Sequence, residues 1–311
     1  MVEHSEHSIR IDAPIEKVYA LIADVTSWPV IFEPTVYTEH LERGETEERF
    51  RIWALANGAV KTWSSRRSLD AAARTISFQQ EVSQPPVSSM GGTWSFIEAA
   101  DGATEVSLRH HYTAVEDAPE ALDWIVRALD TNSAKELAGL RRAAEVPLPI
   151  EELVFSFTDS VRVDGPAELA YQFIDEAGRW PQRLPHVQRL DLRVDEAGVQ
   201  HLEMDTLAPD GSTHTTSSVR VCFDGRQIVY KQIGVPPLLS GHSGRWTFVA
   251  DGDAVVVSSE HTVAINPDRV EAVLGKGRTV ADARDFARRA LGGNSMITLR
   301  HAKEFAEAGR R

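Results

Sequence analysis

Two short stretches of the sequence combine residue types that are suited to chemistry inside a pocket. KTWSSRRSL at 61–69 has a partial copy, HTTSSVRVC, at 214–222. Side chains of a β-strand alternate between its two faces, so Trp63, Ser65 and Arg67 would share one face. Because arginine is costly to bury without a partner, an inward row of this kind predicts a cavity that holds a polar or anionic ligand group. The alternative is a row that faces solvent, with the arginine in a surface ion pair.

The second stretch places Thr216, Ser218 and Arg220 on the matching face. It has a threonine where the first stretch has Trp63, so the two rows would line pockets of different shape. The sequence leaves open whether both pockets are catalytic.

Histidines are the candidates for acid or base work, because their unperturbed pKa lies near neutrality. His111 and His261 align, in HYTAV and HTVAI. His242 precedes Trp246 by four residues, so the two share a face of a regular strand. The alternative for each histidine is a partly exposed strand residue without a catalytic duty.

No metal or cofactor motif is visible in the sequence. Cys222 is the only cysteine, and the scattered histidines lack the spacing of metal ligands. The sequence GKGR at 275–278 lacks the preceding strand and the full spacing of a phosphate-binding loop. We therefore expect neither a metal nor a cofactor.

Composition excludes several classes of partner. Lys plus Arg is 33 and Asp plus Glu is 46, which gives a net charge of −13 and argues against a nucleic acid. A single cysteine allows no intrachain disulfide. The N-terminal residues have no apolar core typical of a secretion signal, and no later run approaches a membrane span. These features predict a cytoplasmic protein that has no membrane partner.

The chain reads as two copies of one module. Its landmarks recur at a constant spacing of 152 residues: Pro14 and Pro166, Trp28 and Trp180, Trp94 and Trp246. A period of this length indicates two whole domains rather than short solenoid repeats. We predict domains at 1–146 and 153–311, joined by a linker at 147–152 whose two prolines cannot continue a helix.

Each copy predicts a strand, one or two short helices, six antiparallel strands and a long closing helix, an α+β arrangement. In the first copy the six strands are predicted at 36–42, 48–55, 60–69, 75–82, 88–97 and 104–115. Gly-containing pairs predict the hairpin turns: Asn57-Gly58, Asp101-Gly102, Asp210-Gly211, Asp224-Gly225 and Asp251-Gly252. The long helices are predicted at 118–145 and 267–308. A sheet of about seven strands can curl around such a helix, and the space between them is either filled core or a cavity.

This pattern resembles the START-like, or helix-grip, superfamily and, within it, the polyketide aromatase/cyclases of bacterial type II polyketide synthases. The two-copy length resembles the didomain members. The residues that carry the resemblance in the first copy are Trp28-Pro29, Phe32, Trp63, Ser65, Arg67, Trp94 and Asn132-Ser133. Those in the second copy are Trp180-Pro181, Ser218, Arg220, Trp246 and Asn294-Ser295.

The resemblance implies roles for these positions. The residues expected to be catalytic are Arg67, Ser65, Arg220 and Ser218, which would bind and polarise ketone oxygens, together with His261 and His242. The residues expected to contact substrate in the first copy are Trp28, Phe32, Trp63, Trp94, His111 and Asn132. Those expected in the second copy are Trp180, His186, Thr216, Trp246 and Asn294.

The implied activity is an aldol ring closure followed by loss of water. The enzyme would act on a poly-β-ketone tethered to an acyl carrier protein, and for didomain members the resemblance implies closure between carbons 7 and 12. Holding the chain in one fold can supply much of the rate and most of the regiospecificity.

Two other hypotheses are compatible with the sequence. The chain could be a non-enzymatic START-like carrier of a hydrophobic aromatic or lipid, or one of its copies could be purely structural. The sequence leaves open the length of the polyketide, any prior ketoreduction and the oligomeric state, for which a homodimer is one candidate.

Overall fold

The structure is a computed structural model that describes residues 1–195, 198–207, 211 and 213–309. The chain divides into two compact units, Met1–Pro149 and Ile150–Arg311, which we call the N-terminal unit and the C-terminal unit.

The N-terminal unit begins with strand β1 (Glu3–Ile11) and two helices, α1 (Ile15–Ala23) and α2 (Trp28–Ile31). The strands that follow are β2 (Thr35–Arg43), β3 (Glu47–Ala56), β4 (Ala59–Asp70), β5 (Thr75–Val82), β6 (Val87–Glu98) and β7 (Thr104–Ala114). Helix α3 (Pro119–Glu145) closes the unit. All six predicted strands lie within one residue of these bounds.

The seven strands form one antiparallel sheet in the order β1-β7-β6-β5-β4-β3-β2. Tight turns connect neighbouring strands because glycine adopts positive φ without steric cost. Asn57 and Gly58 have φ of 49° and 82°, and Gly102 has φ of 83°, so the turns predicted at these pairs are confirmed. The inner face of the sheet packs against α1 and α3, where alternate strand residues are buried.

The C-terminal unit repeats this order. After a short helix, α4 (Ile150–Leu153), come β8 (Val154–Val163), α5 (Ala167–Asp175) and α6 (Trp180–Arg183). The strands that follow are β9 (Val187–Val194), β10 (Gln200–Leu207), β11 (Thr213–Phe223), β12 (Gln227–Gly234), β13 (Leu239–Asp251) and β14 (Ala254–Ile265). The sheet order is β8-β14-β13-β12-β11-β10-β9, so the prediction of two seven-stranded helix-grip domains is confirmed.

Two details differ from the sequence predictions. The closing helix predicted at 267–308 is interrupted: a helical turn and α7 (Val270–Leu274) end at Gly275, which has φ of 104°. A new helix, α8 (Val280–Ala308), begins at a capping box in which Thr279 and Asp282 bond each other's backbone N–H groups. The end of the predicted linker is helical, because 150–153 form α4.

Of the glycine turns predicted in the C-terminal unit, Gly225 and Gly252 have φ of 65° and 61°. Asp210, which belongs to the predicted Asp210-Gly211 turn, lies outside the described residues. In the part of the chain that the structure describes, no helix is long and apolar enough to cross a membrane.

Candidate functional site

A cavity lies between the inner face of the N-terminal sheet and α3. The volume of this cavity is about 150 Å³, far more than the roughly 10–15 Å³ that one water molecule needs. Five predicted site residues from the sheet and α2 line it, together with one from α3: Trp28, Trp63, Ser65, Arg67, Trp94 and Asn132. The lining is mainly aromatic and aliphatic with a few polar groups, as is usual for a small-molecule site.

The row on β4 faces this cavity. Ser65 and Arg67 are each 2% exposed, and both line the cavity together with Trp63. The alternative of a solvent-facing row is therefore wrong. The alternation of the strand places Arg66 on the other face, where it is exposed.

Arg67 is already paired inside the protein. Its Nε donates to Glu48 Oε1 at 2.8 Å, and its Nη1 and Nη2 donate to the carbonyls of Ile22 and Ala23 at 2.8 and 2.6 Å. These carbonyls belong to the last turn of α1, where the helix has no further N–H groups to satisfy them. The expectation that a ligand group must balance Arg67 is therefore wrong, because Glu48 does so.

Sequence reasoning missed Glu48, although a signal for it was present. A two-residue turn at 57–58 pairs strand residues symmetrically about the turn, and that register sets Glu48 directly opposite Arg67. Glu48 is 6% exposed, and its Oε2 lies 2.9 Å from His40 Nε2. Burial lowers the pKa of Arg67, and the Glu48 carboxylate opposes this shift. The two side chains form a buried ion pair.

His111 was the wrong choice of histidine. It is exposed on the outer face of β7, and its Nε2 lies 3.1 Å from Gln79 Oε1. Its neighbour His110 is 9% exposed and lines the cavity, and no described residue hydrogen-bonds its Nδ1. Burial lowers the pKa of His110 to about 4, so the ring is neutral at pH 7.

The error has a physical origin. Trp94 pairs with Leu108 across β6 and β7, whereas Trp246 pairs with Ser259 across β13 and β14. This register makes His110, and not His111, the counterpart of His261. A slip of one residue along a strand exchanges its inner and outer faces.

Glu136 on α3 is a second residue that sequence reasoning missed. It lines the cavity, and burial raises the pKa of its carboxyl to about 7. It follows Leu129 and Ser133 and precedes Leu140 at the spacing of one helix face, and all four side chains turn toward the interior. That stripe could have marked Glu136 as the inward carboxylate of α3.

The other predicted residues of this unit take different positions. Trp28 lies on the cavity wall, whereas Phe32, 1% exposed, packs edge-on against its ring at a centroid distance of 5.4 Å and is not part of the lining. Asn132 lines the cavity, and its Nδ2 donates to the carbonyl of Leu55 at 2.8 Å. Asn132 therefore ties α3 to the end of β3.

In the C-terminal unit, Arg220 has the position of Arg67 but not its partners. It is 2% exposed; its Nη2 donates to the carbonyl of Ile174 at 2.7 Å, and the guanidinium lies 5.1 Å from the centre of the Trp180 ring. Its Nε and Nη1 have no hydrogen-bond partner among the described residues. Burial lowers the pKa of Arg220, and the charges of Cys222, Asp175, Tyr171 and Tyr230 oppose this shift.

Gln200 stands where the N-terminal unit has Glu48. It pairs with Arg220 across β10 and β11, as Glu48 pairs with Arg67 across β3 and β4. Its Nε2 donates to the backbone carbonyl of Asp175 at 3.2 Å and to the Oδ1 of the same residue at 3.3 Å, and its buried Oε1 bonds to no described residue. An amide at this position cannot neutralise the guanidinium.

His261 and His242 meet in a buried polar network. His261 Nδ1 lies 3.0 Å from the Tyr230 hydroxyl and 2.9 Å from His242 Nε2, and its Nε2 lies 2.6 Å from Ser295 Oγ. Burial lowers the pKa of His242 to about 3 and that of His261 to about 4, and it raises the pKa of Tyr230. All three rings are therefore neutral at pH 7.

The remaining predicted residues of the C-terminal unit are spread over several environments. Asn294 is exposed, so its prediction as a pocket residue is wrong; the inward residue of that pair is Ser295, 5% exposed. Trp180 and Trp246 belong to the hydrophobic core of the unit. Thr216 and Ser218 are partly exposed on β11, and burial lowers the pKa of the partly buried His186.

The described residues contain no group of three or more His, Cys, Asp or Glu side chains arranged to hold a metal ion.

Comparisons with known proteins give a consistent result. The family described as "Polyketide cyclase / dehydrase and lipid transport" matches residues 3–145. The granaticin polyketide synthase bifunctional cyclase/dehydratase of Streptomyces violaceoruber is 50% identical over 309 residues, which are 98% of this chain and 95% of that protein. The actinorhodin polyketide synthase bifunctional cyclase/dehydratase of Streptomyces coelicolor is 51% identical over 306 residues, 95% of this chain and 94% of that protein.

Among solved structures, the di-domain ARO/CYC BexL from the BE-7585A biosynthetic pathway is 53% identical to this chain. It superposes with a TM-score of 0.81 over 98% of this chain and 99% of that one.

Proposed function

This chain belongs to the bifunctional cyclase/dehydratases of polyketide synthases, and we propose that it closes and dehydrates the first ring of an acyl-carrier-protein-bound poly-β-ketone, joining carbons 7 and 12. The observation that carries this proposal is the N-terminal cavity, whose aromatic walls enclose a carboxyl group and a neutral imidazole. The lining suits a flat, oxygen-rich substrate that must fold before it reacts.

The walls of the cavity restrict how the chain can fold. Trp28, Trp63 and Trp94 are large, stiff surfaces, and indole rings pack well against planar enols and ketones. An aldol closure needs one methylene carbon and one distant carbonyl carbon in contact. Holding these two atoms together can account for much of the rate.

Glu136 has the properties of the general base. A carboxyl group with a pKa of about 7 is about half ionised at neutral pH and can both accept and return a proton. Its carboxylate takes a proton from a methylene flanked by two carbonyls, and the resulting enolate carbon attacks the target carbonyl. The same carboxyl group then returns the proton to the new alkoxide, which becomes a β-hydroxyketone.

His110 is suited to hold the oxygen of the attacked carbonyl. Its ring is neutral and lines the cavity, so an imidazole N–H can donate to the oxygen on which negative charge develops. Ser65 supplies a hydroxyl on the same wall. Arg67 is a weaker candidate for this task than the sequence implied, because its Nε, Nη1 and Nη2 all donate to protein oxygens.

The experiment that tests the proposal is product analysis from a minimal polyketide synthase reconstituted with the wild-type chain, Glu136→Gln or His110→Asn. We expect the wild type to divert the poly-β-ketone from spontaneous shunt products to one cyclised aromatic compound, and each variant to reduce the yield of that compound by at least about 100-fold. His111→Asn is the matched control, since it makes the same change on the outer face. If folded Glu136→Gln and His110→Asn variants both gave the wild-type yield of cyclised product, the assignment of catalysis to these two residues would be refuted.

The position of ring closure is tested on the same product. Its carbon connectivity, read by NMR after incorporation of labelled acetate, should show the bond between carbons 7 and 12. A first ring closed elsewhere would overturn that part of the proposal while leaving the cavity as the reaction site.

Recognition of the tethered substrate is tested by salt. The usual carrier protein is acidic, so we expect it to dock on a basic rim although the whole chain carries a net charge of −13. Turnover of the carrier-bound substrate should then fall as ionic strength rises. Turnover that is insensitive to salt would contradict docking by charge.

A further inference from the structure

The environment of Arg220 forms a binding site of defined chemistry. Two of its nitrogens, Nε and Nη1, are buried donors that have no hydrogen-bond partner among the described residues. Gln200 Oε1 is a buried acceptor that also has no hydrogen-bond partner among them. The two residues are directly opposed across β10 and β11, which places their Cβ atoms about 5 Å apart on one face of the sheet. Two donors and one acceptor match a carbonyl oxygen beside a hydroxyl group, whereas the acceptor would repel a carboxylate or phosphate.

The side chains that share the face of Arg220 become more exposed along β11 toward its N-terminal end. Ser218 and Thr216 precede Arg220 at every second residue of β11, and Thr216 pairs with Met204 of β10. Thr216, Ser218 and Met204 are partly exposed, whereas Arg220 is 2% exposed. The row therefore runs from an accessible end to a buried polar end.

Tyr230 connects this site to the histidine network. It pairs directly with Arg220 across β11 and β12, so both side chains lie on one face. When His261 carries its proton on Nδ1, that single N–H is shared between the Tyr230 oxygen and His242 Nε2 as acceptors, and its Nε2 accepts from Ser295. The hydroxyl proton of Tyr230 is then free to be donated to a ligand.

The N-terminal unit lacks this arrangement at the same register. Phe78 is opposite Arg67, where Tyr230 is opposite Arg220. Met90 pairs with Tyr112 across β6 and β7, at the position where His242 pairs with Val263. An acid placed beside an unpaired guanidinium is therefore a feature of the C-terminal unit.

We propose that the C-terminal unit binds the β-hydroxyketone formed by ring closure and eliminates water from it, with Arg220 at the carbonyl oxygen and Tyr230 as the acid. This inference rests on the proposed function, since ring closure supplies the substrate. It assigns the two activities of a bifunctional cyclase/dehydratase to different units of one chain.

The step balances without a cofactor. The carbon next to the carbonyl loses its proton to water from the exposed end of the row, and Arg220 stabilises the enolate oxygen. The enolate electron pair forms the carbon–carbon double bond as the bond to the hydroxyl oxygen breaks. Tyr230 gives its proton to the departing oxygen, which leaves as water, and the proton taken from carbon returns to the tyrosine through solvent and the His261 network.

The test uses Tyr230→Phe and Gln200→Glu in the reconstituted synthase. Tyr230→Phe removes the hydroxyl oxygen and gives the C-terminal unit a phenylalanine, as the N-terminal unit has at Phe78. Gln200→Glu supplies a carboxylate that occupies the free donors of Arg220. We expect both to slow dehydration by at least about 100-fold, so that a cyclised product one water heavier accumulates. Ring closure itself, measured as loss of shunt products, should change less than about two-fold.

The outcomes separate this inference from the function on which it rests. If both variants give the dehydrated product at the wild-type rate, the C-terminal unit is not the site of elimination. If either folded variant loses ring closure, the two activities are not divided between the units, and the inference is equally wrong. A wild-type chain that forms no ring refutes the proposed function itself, whereas Glu136→Gln should block ring closure in every case where that function holds.

Discussion

Arg67 and Arg220 lie at the same position in two copies of one fold, but the residue opposite each on the preceding strand differs in charge. Each is 2% exposed, donates to carbonyls at the end of a helix and faces a tryptophan ring at 5.1 Å. The residue opposite Arg67 is Glu48, and the residue opposite Arg220 is Gln200. One carboxylate decides whether the guanidinium is satisfied within the protein or left with donors for a ligand.

The rest of each site follows the same division. The N-terminal cavity has aromatic walls with isolated polar groups at His110 and Glu136. In the C-terminal unit, Trp180 and Trp246 belong to a hydrophobic cluster that also contains Tyr230, and the polar groups are joined in a network around His261. The first arrangement suits folding of a flexible chain, and the second suits proton transfer to a small polar group.

The largest expected effect comes from truncating each arginine. Arg67→Ala leaves Glu48 buried without its cation and should lower the free energy of unfolding by about 3–5 kcal/mol. Arg220→Ala removes a charge that has no directly opposed carboxylate but leaves the Ile174 carbonyl without its donor, so the loss should be about 1–2 kcal/mol. Urea unfolding of both variants at pH 7.5 measures the difference. Equal losses would mean that the Glu48 pair is not what distinguishes the two units.

Exchanging the residue opposite each arginine, Glu48 or Gln200, tests directly whether the carboxylate makes the two units differ. Gln200→Glu gives Arg220 the carboxylate that Arg67 has. The new ion pair should outweigh the lost bonds to Asp175 and raise the free energy of unfolding by about 1 kcal/mol. Glu48→Gln makes the N-terminal unit resemble the C-terminal one and should lower it. Thermal unfolding at pH 7.5 reports both changes, and a destabilised Gln200→Glu variant would contradict the view that Arg220 lacks an anionic partner.

The raised pKa of Glu136 should make the free energy of unfolding of the N-terminal unit depend on pH. Its folded pKa of about 7 is above the ordinary value of 4.5, so folding favours the protonated form. The wild type should therefore lose stability as pH rises from about 4.5 to 7, by about 1–2 kcal/mol for a carboxyl partly exposed to a cavity. Glu136→Gln should remove that decline in unfolding measured from pH 5 to 8. A parallel decline in both proteins would show that another group is responsible.

The smallest effects are expected at the two residues that face solvent. His111→Ala and Asn294→Ala should each change the free energy of unfolding by less than about 0.5 kcal/mol and leave product formation unaltered. Their inward neighbours provide the comparison, because His110→Ala and Ser295→Ala alter a cavity wall and the His261 network. A larger effect at His111 than at His110 would reverse the assignment of the faces of β7.

The fold was predictable because its signals are local. Alternating strands, glycine turns such as Asn57-Gly58 and the 152-residue repeat determine the sheet order, and the strand row of Trp63, Ser65 and Arg67 faces inward as predicted. Short apolar helices and the proline positions completed the pattern.

The wrong or missing predictions concern two things: which of two adjacent residues faces the interior, and which side chains a buried group contacts. His111 and Asn294 were each one residue from the inward position, since two adjacent candidates cannot be told apart without knowing which cross-strand or helical neighbour is buried. Glu48 and Glu136 were missed because a buried carboxylate looks like a surface one until it is placed in its register: the turn at 57–58 sets Glu48 opposite Arg67, and the inward stripe of α3 includes Glu136.

The most direct test of the central claim is a crystal structure of the full chain with its cyclised aromatic product bound. We expect the product in the N-terminal cavity, with its rings against Trp63 and Trp94 and an oxygen within hydrogen-bond distance of His110 or Glu136. Product bound only in the C-terminal unit, with the N-terminal cavity unoccupied, would contradict the assignment of ring closure to the N-terminal unit.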